Sequence, residues 1–375
     1  MESTMNAAAR RQPTTAARRT ISVIVPAYNS EATIGACLQS LLAQSRAPDE
    51  IVVVDDGSRD GTVDIVSKYP VRLVRLARNA GPGVARNEGA KVASGDILAF
   101  TDSDCVAPPD WLARIEREFD DEGIVAVTGG YAGTLADGFL PLLQHLVLRE
   151  RQDSLPDEIA STITSNFACR RRAFEAVGGF PLYYRRRDPQ RPVWGNEDEE
   201  LGFRLTRAGG RIRWLKDVGV LHRFRPGLWA YLRQQKFYAE RIVMSHFQFP
   251  EMRKTRTNYS RQGGAVSVLA AAGTAIGTAD VLVCLCLYHG ESIWSLATAG
   301  LFAGSGLLLL TLPIPALAAM RRYNQGWGFV FRAYAVALSV SFAWLWGVVS
   351  GIMLSLGGFL DGNSIGRQTS SPSGK

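Results

Sequence analysis

The chain reads as an α/β protein built on a mostly parallel sheet and followed by a membrane segment, and three observations predict this. Short apolar runs alternate with helical patterns over residues 21–100, as in a parallel sheet with crossover helices. Two of those runs end abruptly in carboxylates: 52–54 in Asp55 and Asp56, and 97–100 in Asp102 and Asp104. Beyond Gly264, long uncharged apolar stretches take over, each reaching the ~20 residues that a bilayer span requires.

The elements follow in order. ISVIV (21–25) is the first strand and leads into PAYNSE, then a helix with Ile34, Leu38, Leu41 and Leu42 on one face. IVVV (51–54) is the second strand, with a helix over 61–68. VRLVRLA (71–77) alternates like a third strand, 83–92 is helical, and DILAF (96–100) is the fourth strand. Four such βα units make a nucleotide-binding half. Residues 111–225 are less regular, with strands over 124–128 and 165–169. A helix over 196–208 places Leu201 and Leu205 on one face and stops at Gly209 and Gly210. Residues 226–249 are aromatic and basic, which suits a helix in a membrane interface or, equally, a core helix.

The expected organisation is a disordered basic tail over 1–19, an α/β domain over 20–225 and a juxtamembrane helical region over 226–262. Three spans follow, at about 265–288, 293–319 and 333–357, then a tail over 361–375. The first span carries Asp280, a costly residue in lipid. Residues 1–19 hold four arginines and no apolar signal core. Arginines and Lys254 precede the first span, and Arg321, Arg322 and Arg332 lie between the second and third. The positive-inside rule then gives a multi-pass protein of the plasma or inner membrane, with the α/β domain in the cytoplasm and the C-terminus outside. This topology explains the net charge of +7, and no nucleic-acid recognition motif is present. Five cysteines without a CxxC suggest neither a disulfide framework nor a zinc site.

Ligands of open α/β sheets bind outside the carboxyl ends of the strands, where both acidic clusters fall. Four carboxylates there call for a positive partner. A divalent cation carrying a phosphate ligand meets that need. Alternatively, DDGSRDGT is a turn with an N-cap.

PAYN at 26–29, VVDDGSRDGT at 53–62, N-x-G-x-x-x-A-R-N-x-G at 79–89, TDSD at 101–104 and EDEELGFRL at 197–205 together resemble family 2 glycosyltransferases of the GT-A fold. The resemblance covers about residues 20–250, five motifs in order. It implies an inverting, metal-dependent enzyme using Mn²⁺ or Mg²⁺ and a nucleotide-sugar donor, with UDP-sugars foremost. It assigns Asp56 to the nucleotide base, with the Tyr28 ring beside it. Pro26 would end the first strand and aim Tyr28. Arg86 would approach the diphosphate, or else be a solvated helix arginine. Asp102 and Asp104 form the DXD motif; two residues apart in extended chain they share a face, with Asp104 the direct metal ligand and Asp102 reaching metal and donor. His222 is a candidate to complete the metal site. Glu197 and Asp198 match the family's acidic pair, Asp198 as general base.

Q-x-x-R-W, carried by processive synthases of the family, is missing from RQQKFYAER, and the acidic pair favours a hydroxyl acceptor. The implied reaction moves one sugar to a lipid-linked glycan in envelope or exopolysaccharide assembly. A polyprenyl-phosphate glycosyltransferase and a non-catalytic nucleotide-sugar-binding membrane scaffold are the alternatives. The arginine clusters 170–172 and 185–187 either hold a lipid-linked diphosphate or are solvated loops.

Overall fold

Four strands before residue 110 lie parallel, as the alternation of strands and helices predicts. The computed structural model describes residues 18–185, 188–193, 197–248 and 326–356. Strand β1 (Ile21–Ala27) sits between β2 (Glu50–Asp55) and β4 (Ile97–Phe100), with β3 (Arg72–Arg75) outside β2. Beyond β4 the sheet becomes mixed. Strand β8 (Phe167–Arg170) runs antiparallel between β4 and β6 (Ile124–Thr134). Strand β11 (Arg211–His222) then runs parallel to β6 and carries the short antiparallel β5 (Cys105–Val106) and β7 (Glu158–Ile159). The nine strands make one mixed α/β sheet, and β9 (Tyr183–Arg185) with β10 (Asp188–Val193) forms a separate ribbon.

Helices cover both faces because the central strands are apolar on both. Helices α1 (Ile34–Leu42) and α4 (Trp111–Glu118) bury Ile34, Leu38, Leu41, Trp111 and Ile115 on one side, where α2 (Thr62–Val66) also lies. Helices α3 (Pro82–Val92), α6 (Arg171–Ala176) and α7 (Glu197–Arg207) bury Ala85, Phe174, Leu201 and Leu205 on the other. Leu42, expected inside, is 41% exposed, and Cys37 takes its place in the buried stripe of α1. The third strand is shorter than its alternation suggested, since β3 is an edge with both terminal arginines exposed. Within 165–169 the chain first makes a single 3₁₀ turn (Thr164–Asn166) before β8 begins.

Arg170 and Arg171 are taken up by backbone carbonyls, and exposed Arg172 pairs with Glu122 at 2.9 Å. Arg170 is registered with Ile97, at the start of β4 and thus the opposite edge of the sheet from Asp102. Its buried guanidinium donates to the carbonyls of Ile124 (2.9 Å), Phe119 (2.8 Å) and Asp121 (3.2 Å). Arg171 donates to the carbonyls of Gly95 and Ala90. These side chains tie loops together. Arg186 and Arg187 lie outside the described residues.

Two helices adjoin the sheet domain. Helix α8 (Leu228–Gln248) matches the aromatic, basic stretch, and α9 (Trp327–Leu356) contains Gly328–Ser355, long and apolar enough to cross a membrane. Among the described residues this is one such helix rather than three. The expected spans 265–288 and 293–319, with Asp280, lie outside them, and the third expected span overlaps α9, which starts six residues earlier and ends one residue sooner. The two helices pack at backbone contact: a Cβ at Gly347 would stand 2.3 Å from the Lys236 carbonyl, and one at Gly351 2.8 Å from that of Glu240. Such small-xxx-small spacing admits close helix approach. Trp344 Nε1 donates to Gln235 at 2.9 Å, and Ser350 Oγ to Glu240 at 2.9 Å. The other side of α9 exposes Phe331, Phe342, Trp346 and Met353.

Candidate active site

The PAYN and DGSRDG loops interlock beyond the ends of β1 and β2. Asn29 adopts φ 49°, a left-handed conformation that asparagine tolerates. It accepts the Arg59 N–H at 2.9 Å. Asp60 accepts the N–H groups of Glu31 and Thr62 (3.1 Å each), so the turn reading of this segment holds for Asp60. Gly57 has φ +75°, and a Cβ there would lie 2.8 Å from the Arg78 carbonyl carbon. Pro26 does not end β1 but pairs within it opposite Val54, and Ala27 continues the strand. Tyr28 follows with 45% of its surface exposed.

The four strand-end carboxylates do not meet around one point. Asp55 accepts the Ser58 N–H at 3.2 Å. Asp56 turns inward and accepts the N–H groups of Ala80 (2.7 Å) and Gly81 (2.8 Å), so it holds the loop that opens α3. Burial raises its carboxyl above the ordinary range, and Asp55 adds to this against the pull of the two amides.

The DXD carboxylates diverge, contrary to the extended-chain expectation. Residues 102–104 form a turn closed by the Cys105 N–H on the Asp102 carbonyl at 3.0 Å. Asp102 meets Arg86 at 2.7 Å, whereas Asp104 faces His222, Nε2 to Oδ2 3.5 Å. The second pair exists because β5 registers Cys105 against His222. The Arg223 N–H also donates to the Asp104 carbonyl at 3.1 Å. Burial raises the Asp104 carboxyl, opposed by His222, while Asp102 raises it further and Arg225 lowers it.

Arg86 is the positive charge among these groups. Buried on α3, it bonds Asp102 and also reaches Glu197 at 3.4 Å, with its carbon 5.5 Å from the centre of the Phe180 ring. It is therefore neither solvated nor open to solvent-side anions in this arrangement. The N-terminal turns of α3 and α7 meet here, a Cβ on Gly83 falling 3.6 Å from Glu197 Cγ.

Asp198 lies in the first turn of α7, where its carboxylate accepts the Glu199 N–H at 2.9 Å and its carbonyl accepts Thr162 Oγ1 at 2.7 Å. Burial lifts its carboxyl to about 7, the neighbouring Glu197 charge adds to this, and Arg86 opposes it. A carboxylate with that affinity for protons near neutrality can accept one from a hydroxyl.

Asp104, Cys105 and His222 are close enough to hold one ion, their ligand atoms lying within 4.8 Å of one another. The donor chemistry suits a divalent cation. Asp104 offers oxygen and His222 an imidazole whose Nδ1 is buried with no partner among the described residues. Burial keeps the Cys105 thiol protonated, with Asp102 and Asp104 adding to the shift. That argues against a thiolate-selected metal.

Three residues here went unread in the sequence. Arg225, exposed and among the charges acting on Asp104 and Tyr238, follows His222 in HRFRP. A basic pair just beyond a strand-ending histidine was the available signal. Gln234 and Tyr238 of α8 hydrogen-bond at 2.9 Å, and the charges of Asp198 and Glu197 act on Tyr238. Only the tertiary arrangement places them there.

Comparison with known proteins bears on this geometry. A family model described as Glycosyl transferase family 2 matches residues 22–178. The chain is 30% identical over 223 residues to the glycosyltransferase AglE of Haloferax volcanii, covering 55% of this chain and 67% of that protein. It is 44% identical over 106 residues to the succinoglycan biosynthesis protein ExoO of Rhizobium meliloti, covering 28% of this chain and 30% of ExoO. Among solved structures, the mannosyltransferase PcManGT from Pyrobaculum calidifontis, in complex with GDP-Man and Mn²⁺, superposes with a TM-score of 0.55. The identity is 19%, covering 89% of this chain and 87% of that one, a likeness of fold.

Proposed function

This chain belongs to glycosyltransferase family 2, and on that premise we propose that it transfers a single sugar from a nucleotide-sugar to a hydroxyl of a lipid-linked glycan, with inversion. UDP-sugars are the first donors to test, and the setting is envelope or exopolysaccharide assembly at a membrane. The observation that carries the reading is the Arg86 bridge from Asp102 to Glu197, the neighbour of Asp198, whose carboxyl is lifted to about 7; this supports Asp198 as the base beside the donor.

Each site residue takes a role in this proposal. Tyr28 and Asp56 flank the nucleotide base, with Pro26 in the strand that presents Tyr28. Asp104 and His222 hold Mn²⁺ or Mg²⁺, and Asp102 orients the ribose–diphosphate. The metal supplies Lewis-acid stabilisation of the departing diphosphate. Arg86 keeps Asp102 and Glu197 in place and Arg225 adds positive charge on the diphosphate side. Asp198 removes the acceptor proton as the hydroxyl attacks the anomeric carbon from the face opposite the leaving group, which inverts that centre. A phosphate acceptor is already ionised and needs no such base, so the raised Asp198 carboxyl favours a hydroxyl over polyprenyl phosphate. The apolar outer side of α9 and its contact with α8, whose Tyr238 feels the Asp198 charge, favour an acceptor arriving at the bilayer surface.

The test is to incubate the full chain in detergent with Mn²⁺, a panel of UDP-, GDP- and dTDP-sugars, and either polyprenyl phosphate or a lipid-linked sugar. Product masses then decide. One added sugar on the lipid-linked sugar is expected. A ladder of products would refute single addition, modification of polyprenyl phosphate alone would favour the alternative acceptor, and no transfer from any donor would leave a binding scaffold.

A further inference from the structure

Helix α5 (Phe139–Asp153) follows β6 and touches two separate parts of the molecule. On one side Leu140, Leu143 and Leu146 form an apolar cluster with Phe329 and Ala333 of α9. The rings of Phe139 and Phe329 meet edge to face, their centres 5.0 Å apart. On the other side α5 reaches the chain leaving β11. Gln144 is 4% exposed, and its side-chain amide donates to the carbonyl of Arg225 at 2.7 Å and to that of Leu140 at 3.2 Å. The next residue, His145, lies 6.2 Å from Phe224 between ring centres, and Phe224 stands edge-on to His222 at 4.6 Å.

Residues 223–227, between β11 and α8, belong to no helix or strand. Such a segment depends on side-chain and backbone anchors for its polar groups. The Arg223 N–H bond to the Asp104 carbonyl fixes its start. Gln144 fixes its middle, from a buried position where a hydrogen bond is poorly replaced by water. The Arg225 guanidinium stands on the anchored residue, exposed and without an ion-pair partner among the described residues, two residues beyond the Arg223 N–H that bonds the Asp104 carbonyl.

We propose that Gln144 is a positioning residue for donor binding: by holding the Arg225 carbonyl it sets where that guanidinium stands in the segment that bonds the Asp104 turn, and so the affinity for an anionic diphosphate. This rests on the donor-site reading above. Because α5 also packs on α9, the donor site is mechanically continuous with the apolar helix.

The experiment measures binding of UDP with Mn²⁺ to the full chain by calorimetry, for wild type, Gln144→Leu, Arg225→Gln and the double variant, with sugar-transfer kinetics where a donor is known. Gln144→Leu should weaken binding about tenfold, the scale of one buried hydrogen bond. At saturating donor its kcat should stay within about twofold of wild type, because the loss is in binding. In the Arg225→Gln background the same change should have less than about a twofold effect, since both act through one group. Unchanged affinity in folded Gln144→Leu, or effects that simply add, would overturn the proposal. Gln144→Met, which keeps the side chain's length, takes its place if Gln144→Leu does not fold. Wild type that binds neither UDP, GDP nor dTDP with Mn²⁺ would overturn the donor-site reading and this inference together.

Discussion

The half of the sheet before residue 110 and the half after it are built on opposite plans. In the first, β1 to β4 run parallel, with Asp55 ending β2, Asp56 one residue beyond it, and Asp102 and Asp104 two and four residues beyond β4. In the second, β8 reverses direction, β11 crosses to meet β5, and buried arginines tie loops together. The first half is specified by local chain, the second by contacts between distant segments. The proposed site draws on both: Asp102 and Asp104 come from one, His222, Glu197 and Asp198 from the other.

Substitutions can break this comparison, beginning with the largest effect. Asp104→Asn removes the carboxylate that faces His222 and should abolish metal-dependent donor binding while circular dichroism stays unchanged. Calorimetric titration of UDP with Mn²⁺ measures it, and wild-type affinity would detach the DXD turn from the metal.

Next, Asp198→Asn should lower transfer by at least ~10²-fold with donor affinity retained, the scale for loss of a general base. Wild-type transfer should itself fall as pH drops below about 7, where the carboxyl becomes protonated. The stability effect has the opposite sense. A carboxyl raised from 3.8 to about 7 favours the folded state when protonated, and that contribution is lost as pH rises through 7. The asparagine variant should therefore melt higher than wild type at pH 8, and the gap should close below pH ~4. Equal melting temperatures at pH 8 would show that Asp198 is not held in a desolvated setting.

Arg170→Leu tests the second half. It removes the guanidinium that bonds the carbonyls of Ile124, Phe119 and Asp121 and should cost about 1–3 kcal/mol, read from urea unfolding, with UDP affinity of the folded protein intact. A loss of affinity without a loss of stability would return this arginine to ligand binding. The smallest effect belongs to Leu42→Gln, expected within about 0.5 kcal/mol of wild type because the side chain is largely at the surface. The same change at fully buried Leu41 should be severe.

These contrasts explain what was legible. Strands β1, β2 and β4, helices α1, α3 and α7, and the acidic strand ends follow from periodicity and turn chemistry within a dozen residues. The α/β class was therefore readable, and so was the site's chemical character. Partnerships were not. That Arg86 bridges Asp102 and Glu197, that Asp56 caps a backbone loop, and that Asp102 and Asp104 part company depend on distances no local pattern encodes. Leu42 failed because its helical position sits at the rim of a face, and Arg170 because a run of arginines looks alike whether it meets carbonyls or phosphates. Gln144 carried no signal, being an amide inside an otherwise leucine-rich helix.

The short strand β5 has a consequence in time. It leaves the first half and completes its hydrogen bonding only against the end of β11, one of the last strands made during synthesis. A ribosome that has released residues 18–110 has produced every element of the nucleotide-binding half, yet Asp104 still lacks its histidine. The Asp104–His222 pair thus closes late, as a long loop is brought together, and the donor site proposed above would be complete in a growing chain only once nearly the whole sheet had formed.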